Sequence, residues 1–294
     1  QSPKLGLDKD SLPPVIKSYL IGRDIVQRHE DKYIIDFYGL DELAARDDFP
    51  ALYQIVLDKV KPERDTKERE AYRRNWWIFA EARAMIRPAL KTLDRYIATC
   101  RTAKHRIFTF VPANTMPDAK IVAIALEDAY FLGVLSSRVH LVWALRTGGW
   151  LGVGNDSNYN HSDCFGKFPF PAASEAQQAR IRALAERLDA HRKRQQERHP
   201  ALTLTDLYNV LARLRAFDAA SLISQSPNLP LTPKERTIHD QGLVAVLRQL
   251  HDELDAAVAD AYGWPADLPD DAILQRLVDL NAQRAAEEAS GLIR

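Results

Sequence analysis

The chain changes its hydrophobic periodicity at Pro171, and that change limits the fold more than any other feature. Before it, short runs rich in β-branched and aromatic residues alternate with helical patterns. After it, the apolar repeats have helical spacing. Strands are expected over 33–37, 95–100, 105–111 and 120–126, with PANTMPD (112–118) as the turn of a hairpin between the last two. Helices are expected over 40–46, 49–60 and 129–145, the last with Tyr130, Val134, Leu135, Val139 and Val142 on one face. Residues 1–172 therefore read as an α+β domain around an antiparallel sheet.

Residues 173–294 read as an all-α domain. Ser174 with Gln177 is a capping-box start for a helix running to about 199, where Pro200 follows. Thr203 or Thr205 opens a second helix to about 223, and a proline-containing loop occupies 224–231. Thr232 before Pro233 begins a long helix to Tyr262, striped by Leu243, Val246, Leu247, Leu250, Leu254 and Val258. A last helix starts at Pro269-Asp270-Asp271 and carries Ile273, Leu274, Leu277, Val278 and Leu280.

A chain of 294 residues that is 46% hydrophobic can fill two cores of ordinary size. Cys100 and Cys164 cannot make a disulfide framework, and neither an apolar run of membrane length nor a basic-then-apolar leader is present. The expectation is a soluble, cytoplasmic protein, and a start at Gln1 without methionine suggests a piece of a longer one. Formal net charge is zero, yet residues 61–106 hold 13 Lys and Arg against 6 Asp and Glu. The flanks are mildly acidic, with 8 against 11 over 1–60 and 15 against 18 over 173–294. It is this local field that a phosphate backbone would meet.

No catalytic centre is visible. There is no Gly-x-Ser-x-Gly elbow, and His161, Asp163 and Cys164 lack the paired spacing of a metal site. Gly152-Val-Gly154 follows a helix rather than a strand, so it does not cradle a dinucleotide. Methyl transfer to an exocyclic amine needs Asn or Asp before Pro-Pro-aromatic. Leu12-Pro13-Pro14-Val15 lacks the polar and aromatic members, and Phe168-Pro169-Phe170-Pro171 lacks the amide. His239, His251, Asp252, Glu253 and Asp255 read as a solvated helix face.

Two segments look suited to recognition instead. Residues 146–171 carry Gly148, Gly149, Gly152, Gly154 and Gly166 among Asn155, Asp156, Asn158, Asn160 and His161. Such a loop satisfies its own turns or reads a ligand. Upstream, Arg64, Lys67, Arg69, Arg73 and Arg74 precede Trp76, Trp77 and Phe79, while Arg101, Lys104, His105 and Arg106 sit at a turn between strands. The two tryptophans are expected in the core, and Arg73, Arg74 and the 101–106 cations are the phosphate candidates. Base-edge candidates are Arg146, Asn155, Asp156, Asn158, Asn160 and His161, with Asn suited to adenine, Asp to cytosine and Arg146 to guanine.

The runs YLIGRD (19–24), YIIDFYGL (33–40), VKPERD (60–65), RYIATCRTAKHRIF (95–108), FLGVLSSRVH (131–140), GNDSNYN (154–160), CFGKFPFP (164–171), LDAAVADAYGWP (254–265) and ILQRLVDLN (273–281) occur in order. Together they resemble the C-terminal part of large bacterial DNA adenine methyltransferases, above all the MmeI-like single-chain restriction-modification enzymes and related phage-defence methylases. The resemblance implies a target recognition domain over 1–172 and a C-terminal helical domain over 173–294, following an upstream methyltransferase domain and, in some members, a nuclease. It implies double-stranded DNA as partner and S-adenosylmethionine as cofactor of the parent enzyme, with none in this chain. Its base-reading positions transfer only as the regions 117–120 and 150–161, which adds Lys120 and Trp150 to the base-edge candidates. Without an amine-gripping motif or cofactor loop, this chain alone is not expected to methylate. The rival reading is a helical protein-interaction scaffold of a defence complex, which a net charge of zero permits.

Overall fold

The computed structural model describes residues 12–27, 32–81, 83–151, 156–223 and 231–291. Gly152, Gly154 and the base-edge candidate Asn155 lie outside the described residues, as does most of the loop expected at 224–231. In chain order the elements are β1 (Ile16–Leu20), α1 (Gly22–Val26), β2 (Tyr33–Ile35), α2 (Glu42–Asp48), α3 (Pro50–Lys59), α4 (Lys61–Asp65), α5 (Glu70–Arg74) and α6 (Ile86–Leu90). Then come β3 (Arg95–Cys100), β4 (Thr102–Ala103), β5 (Thr109–Pro112), β6 (Thr115–Pro117), β7 (Ile121–Ile124), α7 (Ala129–Ser136), α8 (Arg138–Thr147), β8 (Trp150–Leu151) and β9 (Asp156–Asn158). A π-helical turn (His161–Phe165) leads to α9 (Glu175–Arg198), α10 (Leu204–Ile223), α11 (Pro233–Gly242), α12 (Val244–Ala261) and α13 (Asp270–Ala289). The class is α+β. Strands β1 with β2, β3 with β5 and β7, and β9 with β4 and β8 all pair antiparallel, and helices alone follow Pro171 among the described residues.

One compact unit takes its described residues from 1–20, 31–94 and 113–116. Its sheet has the order β2-β1-β6, and β1 runs antiparallel to β2 with Ile16 opposite Ile35. Val15, Phe37, Ala45, Tyr53, Val56 and Trp76 form its core, so Trp76 is a core residue as expected. Trp77 is partly buried, and its ring N–H donates to the Leu40 carbonyl at 3.0 Å. Asp36 and Arg87 form a largely buried two-pronged ion pair, with N–O distances of 2.6 and 3.1 Å.

The second unit comprises described residues of 21–30, 95–112 and 117–294. Its main sheet has the order β5-β3-β7, both neighbours antiparallel to β3. The hairpin expected between 105–111 and 120–126 is therefore not formed. Tyr96, Ile97, Ala98 and Thr99 are wholly buried, and a strand buried on both faces takes the centre, leaving β5 and β7 to flank it. Part of the expected turn at 112–118 is itself strand, since β6 joins the sheet of β1.

Two helices expected as continuous are broken, each for a local reason. At Ser137 the backbone is extended (φ −78°, ψ 159°), and its hydroxyl donates to the Val134 carbonyl at 2.7 Å while capping α8. At Leu243 the backbone is left-handed (φ 45°), which ends α11 and starts α12. The glycine beside it, Gly242, is required by space rather than by its backbone angle: a Cβ there would lie 1.9 Å from Leu207 Cδ2. By contrast the expected starts at Ser174 and Thr232 are both complete capping boxes, and Thr203 rather than Thr205 accepts from the Asp206 N–H at 3.0 Å.

By packing, α9 to α13 do not stand apart from α7, α8 and the FPFP run. Tyr130, Val134, Val139, Trp143 and Phe168 share one core with Ile181, Leu188, Leu207, Leu247, Leu254 and Leu277. Gly133 lets α7 and α9 approach closely, since an added Cβ would meet Ile181 Cγ2 at 2.5 Å. The pairs Tyr130 to Pro171 (3.1 Å) and Tyr262 to Pro169 (2.8 Å) fasten the FPFP run by its carbonyls.

Buried imidazoles make this core sensitive to acid. Burial pushes His140 down to about 4 and His251 down to about 3, so both are neutral in the fold near pH 7. Below about 6.5 the unfolded chain takes up protons that these rings refuse, so stability falls as pH drops from about 6.5 toward 4. Asp255 opposes this in part, because burial raises its carboxyl to about 6 and the fold holds that proton more tightly than the unfolded chain does. On these three groups alone, acidification from pH 7 to pH 5 is expected to cost roughly 2 kcal/mol of stability, and His105 and His191, which burial also holds down, add to the loss. Denaturant melts at the two pH values measure it, and equal midpoints would contradict it.

Candidate nucleic-acid interface

The residues of the glycine-rich loop become a small sheet of order β4-β9-β8. Thr102 pairs with Asn158, Ala103 with Ser157, Trp150 with Ser157 and Leu151 with Asp156. Directly opposite residues share a face, so Asp156, Asn158, Thr102 and Leu151 lie on one face and Ser157, Trp150 and Ala103 on the other. Burial follows the alternation, with Asp156 exposed, Ser157 buried, Asn158 half-buried and Tyr159 buried.

Three more segments meet this sheet. The Arg101 N–H donates to the Lys120 carbonyl at 2.7 Å, and the Arg101 carbonyl accepts from Tyr159 N–H at 2.7 Å. The last turn of α8 delivers Arg146 and then Gly148-Gly149, whose second carbonyl accepts from Asn158 N–H at 3.0 Å. Only glycine fits at 148, because a Cβ there would stand 2.1 Å from the Asn158 carbonyl oxygen. Among the described residues the side chains of Arg101, Lys120 and Arg146 make no hydrogen bond or ion pair, and all three are exposed. Trp150 and Leu151 are about half exposed, at 51% and 50%.

Several of the other candidates are already engaged. Asn160 accepts from Asp163 N–H at 2.6 Å and caps the π-helical turn that His161 opens, with His161 itself exposed. Asn158 Oδ1 is buried and has no partner among the described residues. Lys104 Nζ donates to Asn209 Oδ1 at 2.7 Å, and His105 Nε2 lies 2.8 Å from the same oxygen. Burial holds His105 below the ordinary imidazole value, leaving it without charge near pH 7. In the other unit, Arg73 is bonded to the carbonyls of Lys67 and Glu68, and Arg74 is exposed.

Arg106 is a correction. Its place in a run of turn cations points to phosphate contact, but it is buried to 7% exposure, and its guanidinium is consumed internally. Nη2 donates to Ser157 O at 2.7 Å and Oγ at 2.9 Å, and Nη1 donates to the Cys100 carbonyl and to Thr99 Oγ1 at 3.2 Å. Thr102 and Leu151 join the sheet without any signal in the sequence, because strands of two residues leave no periodic trace.

The arrangement can hold a polyanion and present amide, carboxylate and apolar groups to it. It has no visible catalyst. Among the described residues no group of three or more His, Cys, Asp or Glu side chains is placed to hold a metal ion. Nor does the FPFP run offer a free ring for a displaced base: Phe168 is 5% exposed and packs edge-on against His140 at 4.7 Å. No helix among the described residues is long and apolar enough to cross a membrane.

Against known proteins, residues 3–172 match the family described as the MmeI target recognition domain. Among solved structures, the chain is similar in fold to the Type IIL restriction-modification enzyme MmeI in complex with DNA, with a TM-score of 0.64 and 18% identity. That match covers 92% of this chain and 31% of the other, so the chain spans about a third of the length of the protein it resembles. No curated protein sequence matches.

Proposed function

The chain belongs to the MmeI target recognition domain family, and from that premise we propose that it reads a specific sequence of double-stranded DNA on behalf of a DNA adenine methyltransferase of the restriction-modification or phage-defence type. The observation that carries this reading is the convergence of three exposed cations, Arg101, Lys120 and Arg146, unpaired among the described residues, around the β4-β9-β8 sheet. Arg101 supplies phosphate contact. Asp156 faces the base edges and accepts from a cytosine amino group, while Asn158 shares its face but keeps Oδ1 buried and is not open to an adenine. Lys120, Arg146 and His161 complete the reading edge, with Arg146 suited to guanine; Trp150 stands on the other face of the sheet, and Asn155 belongs to the same run. Arg74 is the phosphate candidate of the other unit.

Residues 1–172 carry the reading and 173–294 brace it, since α9 and α12 pack beneath α7 and α8. The residues described offer no grip for a target adenine amine. Leu12 to Val15 lack the amide that would grip the target amine, and the FPFP rings are core, so the methyl donor is assigned to an upstream domain. Methylation, any nuclease activity and a cytoplasmic location belong to that parent protein.

The test is selection from a random duplex pool by the purified chain. An enriched motif is expected, with affinity that falls steeply and linearly in log salt. Retention of the pool without enrichment, or binding indifferent to salt, would overturn the proposal.

A further inference from the structure

Resting on that DNA-reading role, we propose that Arg106 is the positioning residue that sets the register of the reading strand β9, and so governs specificity without touching a base. The strands of the β4-β9-β8 sheet have two, three and two residues. A ladder this short holds its register weakly, and a slip by one residue would turn Ser157 and Tyr159 outward and Asp156 and Asn158 inward. Something other than the ladder must lock it.

The Arg106 guanidinium has the right geometry to do so. It bonds the carbonyl at the end of β3 through Nη1 and both oxygens of Ser157, the middle residue of β9, through Nη2. Ser157 Oγ in turn donates to the Ala103 carbonyl at 3.0 Å, which extends the lock to β4. The Tyr159 ring lies 5.2 Å from the guanidinium, and its hydroxyl lies 3.2 Å from His140 Nε2. Among the described residues no carboxylate forms an ion pair with Arg106, so a desolvated charge is met only by carbonyl and hydroxyl oxygens. That is a costly way to gain stability, and a specific way to fix the end of one strand against the middle of another. A lysine ammonium, being a point donor, reaches one of these clusters but not both.

The experiment uses the full chain with Arg106→Lys, and with Ser157→Ala as a variant that leaves no buried charge unmet. Binding is measured to a duplex selected by the unaltered chain and to a scrambled duplex of equal length. Amide hydrogen exchange is followed over 156–158. For Arg106→Lys the selected-to-scrambled ratio is expected to fall at least about tenfold, the scale of one misread base pair, with scrambled binding and its salt slope retained. Exchange over 156–158 is expected to quicken while α12 stays protected, and Ser157→Ala should move both readouts the same way by less. An unchanged ratio with unchanged exchange would overturn the inference. So would a parallel loss of selected and scrambled binding that tracks the unfolded fraction. If the unaltered chain selects no sequence, the DNA reading itself fails, and exchange then judges the clamp separately, unchanged protection in Arg106→Lys refuting it.

Discussion

Removing Arg101, Lys120 and Arg146 together by alanine substitution is expected to weaken binding of a selected duplex roughly a hundredfold or more, at about 1 kcal/mol or more for each charged hydrogen bond removed. All three side chains are exposed and unpaired among the described residues, so truncating them leaves no buried group unsatisfied and the melting temperature is expected to hold. The single variants separate their roles. Arg101→Ala should weaken every sequence alike and lower the salt slope by about 0.9, the share of one neutralised phosphate. Arg146→Ala should instead relax preference at one base pair, at a cost of ~1–3 kcal/mol against the selected duplex. Titrations at several salt concentrations provide both numbers. Wild-type affinity in the triple variant would remove the cations from the interface.

The second large effect is expected at Gly148. Valine there would place its Cβ against the Asn158 carbonyl oxygen at 2.1 Å, the Ala144 carbonyl at 2.8 Å and Cys164 Sγ at 2.9 Å. Two of these three atoms are backbone and cannot swing aside, so β9 must move. Overpacking of this kind costs about 1–3 kcal/mol, and the displaced strand should lose sequence-specific binding altogether. Gly149 supplies the contrast. Its φ of +76° favours glycine, yet nothing lies within 4 Å of its Cβ position, so Gly149→Ala should cost about 1–2 kcal/mol of strain while leaving the sheet in place. Melting curves and binding of the selected duplex test the pair. Equal losses of binding in the two variants would mean that the close approach at 148 is not what positions the strand.

Much of the helical half was legible because its signals are local. The Ser174 capping box needs residues only three apart and the Thr232 start only its neighbour Pro233, and both helices begin where expected. β3 was legible from end to end, since a six-residue run of apolar and β-branched residues has few alternatives. The helix breaks at Ser137 and Leu243 were not. A serine inside an apolar helical pattern caps only if the backbone turns extended there and its hydroxyl accepts from the next turn, as Ser137 does from the His140 N–H, and nothing in the pattern marks Leu243 for a left-handed backbone. The hairpin between β5 and β7 failed for a similar reason: adjacency in sequence favoured it, while the burial of β3 on both faces forced the strand between them.

The candidate site divides along the same line. By itself the sequence determined which residues could do the work: a polar, glycine-rich run beside a basic turn, the likeness to a target recognition domain, and the lack of an amine-gripping motif. Only the tertiary structure decided which of them are free to do it. Arg101 and Arg106 belong to one basic run of the chain, yet one side chain is exposed and unpaired among the described residues while the other is buried against Ser157 and the Cys100 carbonyl. The physical reason is that a cation's role depends on whether water or protein oxygens solvate it. Those oxygens come in part from β9, some fifty residues downstream, at a distance that no local pattern in the chain records.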